Sequence, residues 1–194
     1  MKPGRADLVV GRWGARFMGR VFPCSIGRGG FIANKREGDG GTPVGAYRMT
    51  GGAWRADRLA RPATPLPLFP AGPRDRWSDD PRDPAYNQHF RADGEGFSAE
   101  RLRRADGLYD IVFFTDHNQG PATPGRGSAI FVHCWRAARA PTAGCAAFKP
   151  SHLRWIAARW VPGAHPFRDT PPGPWLVEQV PLTDARFAFE AVAV

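Results

Sequence analysis

Gly127-Ser128-Ala129-Ile130-Phe131-Val132-His133-Cys134 reads as a buried strand that closes on a histidine. Shortly after it, Pro141-Thr142-Ala143-Gly144-Cys145-Ala146-Ala147-Phe148 reads as a Thr-x-Gly-Cys turn running into a second short apolar strand. Short apolar runs bounded by turn residues suit strands better than helices. Side chains alternate along a strand, so His133 and Cys134 face opposite ways, and Cys134 is expected in the core. From His133 to Cys145 there is room for a strand end, a crossover loop and the next strand, which would set imidazole and thiol side by side. A thiol acts as a nucleophile through its thiolate, and a neighbouring imidazole supplies that form by taking the proton. Gly144 permits a tight turn, so that the backbone N–H groups of Cys145, Gly144 and Ala143 are candidates to hold an oxyanion. Thr142 is placed to fix that turn by hydrogen bonding.

Outward from this stretch, most of the regular structure reads as strands. Leu108-Tyr109-Asp110-Ile111-Val112-Phe113-Phe114-Thr115 is the clearest, almost wholly apolar and expected to be central in its sheet. It leads into Asp116-His117-Asn118, a second histidine at a strand end. Residues 6–32 suggest two or three short strands, including Ala6–Val10 and Ala15–Phe22, with Cys24 as an inert buried thiol. Gly27-Arg28-Gly29-Gly30 is a turn, and no Gly-Lys-Ser/Thr follows it to make a phosphate cradle. The loop from Lys35 ends in Thr42-Pro43-Val44-Gly45, which turns the chain into a strand over Ala46–Met49.

From Trp54 to Glu95 prolines are dense and periodicity is absent, yet the aromatics there give the segment something to bury. Within it Trp77, Asp80, Tyr86 and Asn87 mix ring and hydrogen-bonding groups as a ligand-facing loop would. A solvated loop pinned by its own aromatics fits equally. Ser98–Ala105 reads as a short helix with Ser98 as N-cap and Gly107 beyond its end. Pro150 opens a second helix, whose Leu153, Ile156, Ala157 and Trp160 share one face. Ala164–Arg168 is expected as a final core strand, and Thr170–Val194 as a tail of mild strand propensity. Repeats and a second core are absent, so one domain over 1–194 is expected, with its core at about 6–168, an insertion at 54–95 and a tail at 169–194.

The chain has 194 residues and a net charge of +9 from 27 basic and 18 acidic side chains. That balance suits an anionic partner such as nucleic acid, a membrane surface or an acidic wall polymer, unless it merely reflects genome composition. The arginines are scattered singly rather than blocked with aromatics, which argues against a nucleic-acid groove. Three cysteines leave at least one unpaired, so no disulfide framework is implied. Residues 1–20 contain no continuous apolar run, so neither a secretory signal nor a membrane span is visible. His117, His133 and Cys145 lack the spacing of a zinc site, and no metal or cofactor is expected.

These residues together resemble the L,D-transpeptidase catalytic domain, the YkuD-like family. The matching features are His133, then Thr142-Ala143-Gly144-Cys145, with Thr42-Pro43-Val44-Gly45-Ala46-Tyr47 resembling that family's Thr-Pro-x-Gly-x-aromatic turn. The resemblance spans roughly 6–168. It implies a mainly β fold, a sandwich with one or two short helices and, here, a long Pro-rich loop insertion. It also implies cysteine acyl transfer on peptidoglycan stem peptides, donor and acceptor, by a periplasmic monomer that uses neither nucleic acid nor a membrane span. Cys145 would attack a stem-peptide carbonyl and His133 would serve as base and then acid. The thioester would pass to an acceptor amine, forming 3-3 or 1-3 cross-links, or to water as a carboxypeptidase. Gly144 would complete the catalytic set, and His117, Asn118, Thr142, Ala143, Tyr86, Asn87, Asp80 and Trp77 are the substrate-binding candidates. Two positions depart from the family. Ala147 stands where Arg or Asn is usual, two residues after the cysteine, and Cys134 stands where Gly often follows the histidine. The first removes a polar group from the site, which opens the alternative of a proteobacterial subgroup that attacks the stem at L-alanine and forms 1-3 links. A non-catalytic cell-wall binding module and another cysteine peptidase or amidase of the wall are the competing readings. Papain-like and NlpC/P60-like peptidases place Cys before His, and sortases separate the pair widely.

Overall fold

Strand pairing decides the architecture. The structure is a computed structural model that describes residues 4–94, 96–160 and 174–177. The chain opens with β1 (Leu8–Gly11), β2 (Gly14–Phe17), β3 (Arg20–Phe22), β4 (Cys24–Ser25), β5 (Phe31–Ile32) and β6 (Thr42–Pro43). It continues through the long β7 (Gly45–Trp54) to β8 (Leu68–Pro70), β9 (Asp75–Ser78), β10 (His89–Arg91) and β11 (Ala99–Arg101). Then come β12 (Ile111–Thr115), β13 (Phe131–Cys134), β14 (Ala146–Phe148), the helix α1 (Pro150–Ala158) and β15 (Pro174–Val177). The main sheet runs β3-β2-β1-β15-β7-β12-β13-β14-β4, with β8 added on β7. It is a mainly β, sandwich-like fold with one helix among the described residues.

β7 serves both halves of that sheet. Its start, Gly45–Arg48, pairs with β15, and its end, Met49–Trp54, pairs with β12. β12 and β13 are antiparallel, whereas β13 and β14 are parallel, in the register Val132↔Ala146, His133↔Ala147 and Cys134↔Phe148. One face of this ladder, carrying Val132, Cys134, Ala146 and Phe148, packs with Leu8, Val10, Phe17 and Leu153 into the larger core. α1 seals it through Leu153, Ile156 and Ala157, and Trp160, two residues beyond the helix end, completes the face expected from sequence, all buried. Pro150 supplies the preset φ at the helix start, and each fully buried Leu or Ile contributes about 1.5–3 kcal/mol relative to exposure. The opposite face carries Phe131 and Cys145 and packs with Trp77, Leu102, Tyr109 and Phe114 into a smaller core.

The element covering that smaller core departs from the sequence reading. Ser98–Ala105 is not a helix. Its Ala99–Arg101 is β11, which pairs with β9 (Glu100↔Trp77), while β10 pairs with the other edge (His89↔Trp77). Helix-forming Glu and Arg lose here to strand pairing and to burial of Leu102 beneath the sheet. The 54–95 insertion is likewise structured, contributing β8, β9 and β10. Ala15–Phe22 is a hairpin rather than one strand. Met18 and Gly19 both take positive φ (50° and 76°), the conformation of a tight two-residue turn. The strand at 108–115 starts only at Ile111, and part of the tail, Pro174–Val177, is the strand β15 between β1 and β7. The expected strand Ala164–Arg168 lies outside the described residues.

Candidate active site

The turn from Thr142 to Cys145 is tied down by several hydrogen bonds. Thr142 N–H donates to Ile26 O (2.9 Å), and Thr142 O accepts from Arg28 N–H (2.9 Å). Its hydroxyl donates to Cys145 O (2.7 Å) and accepts Gly144 N–H (3.1 Å), so Thr142 closes the turn with its side chain. Gly144 has φ +148°, and a Cβ there would stand 2.9 Å from Gly41 O. The turn therefore requires glycine twice over, for its dihedral and for the close approach of the loop that precedes β6. That loop is anchored by Thr42, whose hydroxyl accepts Gly27 N–H at 2.8 Å.

Cys145 ends this turn with its side chain on the smaller-core face. Its sulfur accepts Phe131 N–H (3.3 Å) and donates to Ala129 O (3.2 Å). Ala129 holds φ +50°, which is uncommon for a residue with a Cβ, and its N–H donates to Asn87 Oδ1 at 3.0 Å. A strained backbone unit thus aims its carbonyl at the thiol. Burial pushes the thiol up to about 12, a rise the Glu100 charge adds to and the Phe131 N–H and Lys35 oppose.

His133 stands opposite Ala147 in the parallel register, and Cys145 lies two residues before Ala147, one diagonal step along the same face. Its Nδ1 is 2.8 Å from Cys134 O. A carbonyl only accepts, so Nδ1 carries the proton and Nε2 of the neutral ring keeps its lone pair. Burial drives the imidazole down to about 4, against the carbonyls of Cys134 and Leu108, which favour its charged form. Tyr109 lies edge-on to the ring at 5.2 Å. The resting pair is therefore thiol and neutral imidazole, brought to one face, with the thiol's hydrogen bonds running to Ala129 and Phe131.

The other candidates fall into two groups. Asn87 is a buried hub. It accepts Trp77 Nε1–H at 3.0 Å and donates to His117 O and Asn118 O at 2.9 and 2.8 Å. Trp77 is buried against Phe114 and Phe131, ring centroids 4.7 and 4.9 Å away, so it packs beneath the site. Asn118 pins its own loop through Thr123 and Gly127, and His117 Nε2 meets Arg126 O at 3.1 Å. Tyr86 and Ser128 both donate to Glu37, joining the loop before β13 to the loop before β6. Asp80 is held by Arg82 through bonds of 2.9 and 2.7 Å. Ala143 lies in the Thr142–Cys145 turn itself. Among the described residues there is no group of three or more His, Cys, Asp or Glu that could hold a metal, and no helix long and apolar enough to cross a membrane.

Sequence reasoning missed Glu100, Arg104, Tyr109 and Lys35 around the site. Glu100 and Arg104 were hidden by the helical reading of 98–105, and Tyr109 by its place in an apolar run.

The class defined here is a mainly β domain whose histidine strand and Thr-x-Gly-Cys turn lie side by side on one sheet face. The chain belongs to the L,D-transpeptidase catalytic domain (YkuD) family, whose model matches residues 14–172. Members are L,D-transpeptidases, enzymes acting on peptidoglycan peptides of the cell wall. No curated protein and no solved structure matches the chain.

Proposed function

We propose that the protein is a cysteine acyltransferase that cross-links peptidoglycan stem peptides through a thioester on Cys145. The observation that carries this reading is the parallel β13–β14 register, which sets His133 and Cys145 on one face at the mouth of a glycine-dependent turn. His133 takes the thiol proton at Nε2 as sulfur attacks the donor carbonyl, then gives it to the departing amine. The Cys145 N–H, in a turn already shaped by Thr142, faces the developing oxyanion. Gly144 N–H is committed to Thr142 and holds the turn instead. The thioester passes to an acceptor amine, giving a 3-3 or 1-3 link, or to water, giving carboxypeptidase activity. With a methyl at Ala147 beside His133, donor recognition falls to groups outside β14, and this favours an atypical attack point on the stem. Thr142, Ala143, His117, Asn118, Tyr86 and Asn87 shape the walls of the site. The periplasm, where stem peptides are found, is the expected compartment, and a monomer carries the whole site.

Incubation of the purified protein with tetrapeptide stem fragments, with products read by mass spectrometry, tests the proposal. Cross-linked and trimmed products are expected, and the fragment masses assign the linkage. Unchanged fragments would defeat it.

A further inference from the structure

The small sheet over the reactive face carries a carboxylate that the chemistry of Cys145 and His133 leaves unused. Glu100 stands on β11 in register with Trp77 of β9. Cross-strand partners project to the same side of a sheet, and Trp77 packs on Phe131. Glu100 therefore points into the layer that holds the site. There it lies near Tyr109, and each influences the other's ionisation. The Tyr109 ring lies 5.2 Å from that of His133, and Tyr109 and Cys145 belong to the same packed cluster. The Cys145 thiol senses the charge of Glu100. With 27% of its side chain exposed, Glu100 remains within reach of a soluble molecule.

Charge around Glu100 is unbalanced toward the negative. Arg104 pairs with Glu100 but also grips Asp106 through bonds of 2.9 and 2.8 Å, so one guanidinium is shared by two carboxylates. Asp79 adds a further negative charge felt by Glu100. Of the other cations nearby, Lys35 is tied to Asp39, and Arg136 acts on Asp106. The guanidinium that pairs with Glu100 is thus divided between two carboxylates. A carboxylate offers about four lone-pair positions, so Glu100 has capacity beyond Arg104.

We infer that Glu100 receives the protonated amine of the acyl acceptor and takes its proton as the amine attacks the thioester. This inference rests on the acyl-transfer reading of Cys145. The acceptor ammonium gives one proton to the Glu100 carboxylate, and the freed lone pair bonds to the thioester carbon. The nitrogen of the tetrahedral intermediate passes a second proton to His133 Nε2. The C–S bond then breaks, and the departing thiolate recovers that proton from His133. Glu100 releases its own proton to solvent, leaving an amide, a free thiol and one proton. Water carries no charge for Glu100 to attract, so the carboxylate favours cross-linking over trimming. Burial holds the Glu100 carboxyl above its ordinary value, the direction that makes it a better base.

Glu100→Gln keeps the shape and hydrogen-bonding reach of the side chain and removes the charge. The full chain is given a tetrapeptide stem as donor and a tripeptide stem with a free amine as acceptor. Intact mass follows the Cys145 adduct, and chromatography follows cross-linked and hydrolysed products from about pH 6 to 10, a range spanning much of amine deprotonation. The Cys145 adduct is expected to form still, and its hydrolysis serves as the internal reference for cross-linking. The ratio of cross-linked to hydrolysed product should fall at neutral pH by on the order of tenfold to a hundredfold. It should recover as rising pH neutralises the amine in solution, and Glu100→Asp should restore part of it at neutral pH. An unchanged ratio, a fall without recovery at high pH, or loss of the adduct in Glu100→Gln would each overturn the inference and leave Cys145 acylation standing in the wild type. Absence of the adduct in the wild type would instead defeat the acyl-transfer reading itself.

Discussion

The two faces of the β13–β14 ladder carry two buried thiols that differ in company rather than in burial. Cys134 points into the large core beneath α1, and desolvation pushes it up to about 11. Cys145 points into the small core and is pushed up to about 12 by the same cause. Cys24, on the neighbouring β4, is also raised to about 12. Burial and a raised pKa therefore do not set the proposed nucleophile apart from the other two sulfurs. What distinguishes Cys145 is an imidazole on its own face, a carbonyl that accepts its S–H, and the glycine turn that precedes it. A generic mild electrophile is correspondingly a weak probe, since all three thiols are protonated at neutral pH. A substrate-shaped acyl donor is the discriminating one.

The comparison breaks most visibly if the two thiols are exchanged in importance. Cys145→Ser should lower turnover on stem peptides by on the order of 10³-fold or more. Cys134→Ala should leave turnover within about twofold and cost about 1–2 kcal/mol of stability in denaturant titration, as a small buried truncation does. Turnover retained in the first variant, or lost in a folded second one, would reverse the assignment of the faces.

His133 sharpens the contrast through pH. Its folded pKa is about 4 against an ordinary 6.5, so the unfolded chain binds the proton more readily. The stability this neutral burial preserves is fully present above about pH 6.5 and is lost as pH falls from there toward 4, by about 3 kcal/mol in all. His133→Gln should remove that share of the acid slope in thermal or denaturant unfolding measured across the window. It should also abolish acylation of Cys145. An unaltered slope would mean that His133 is more solvated than the fold implies.

A smaller effect is expected one layer back. Asn87→Ala removes the hub that joins Trp77, Ala129 and the 117–118 backbone, leaving buried donors without partners. A loss of about 2–3 kcal/mol in stability is expected, with slower acylation because Ala129 no longer holds the thiol. Acylation at the wild-type rate in this variant would separate the strained Ala129 carbonyl from function.

Legibility from sequence followed the same division between faces. The apolar face announced itself, because Leu108–Thr115 and Leu153–Trp160 carry their periodicity in strong hydrophobic signals. The opposed orientations of His133 and Cys134 followed from strand alternation alone. The covering sheet stayed hidden. β9, β10 and β11 are three or four residues long and carry charged or polar side chains, and they are strands because they pair with one another over a shared core. Trp77 and Asn87 read as ligand-facing because aromatic and amide groups in a loop look alike whether they meet a substrate or each other. Ala129's positive φ carried no signal, since nothing in its composition asks for it.

The central claim is that the face bearing His133, and not the face bearing Cys134, performs acyl transfer. Its most direct measurement is the intact mass of the protein during turnover of a stem-peptide donor, followed by peptide mapping of the adduct. A transient thioester on Cys145 is predicted, absent from both Cys145→Ser and His133→Gln and undiminished in Cys134→Ala. Turnover without an adduct on Cys145, or an adduct mapping to Cys24 or Cys134, would contradict it.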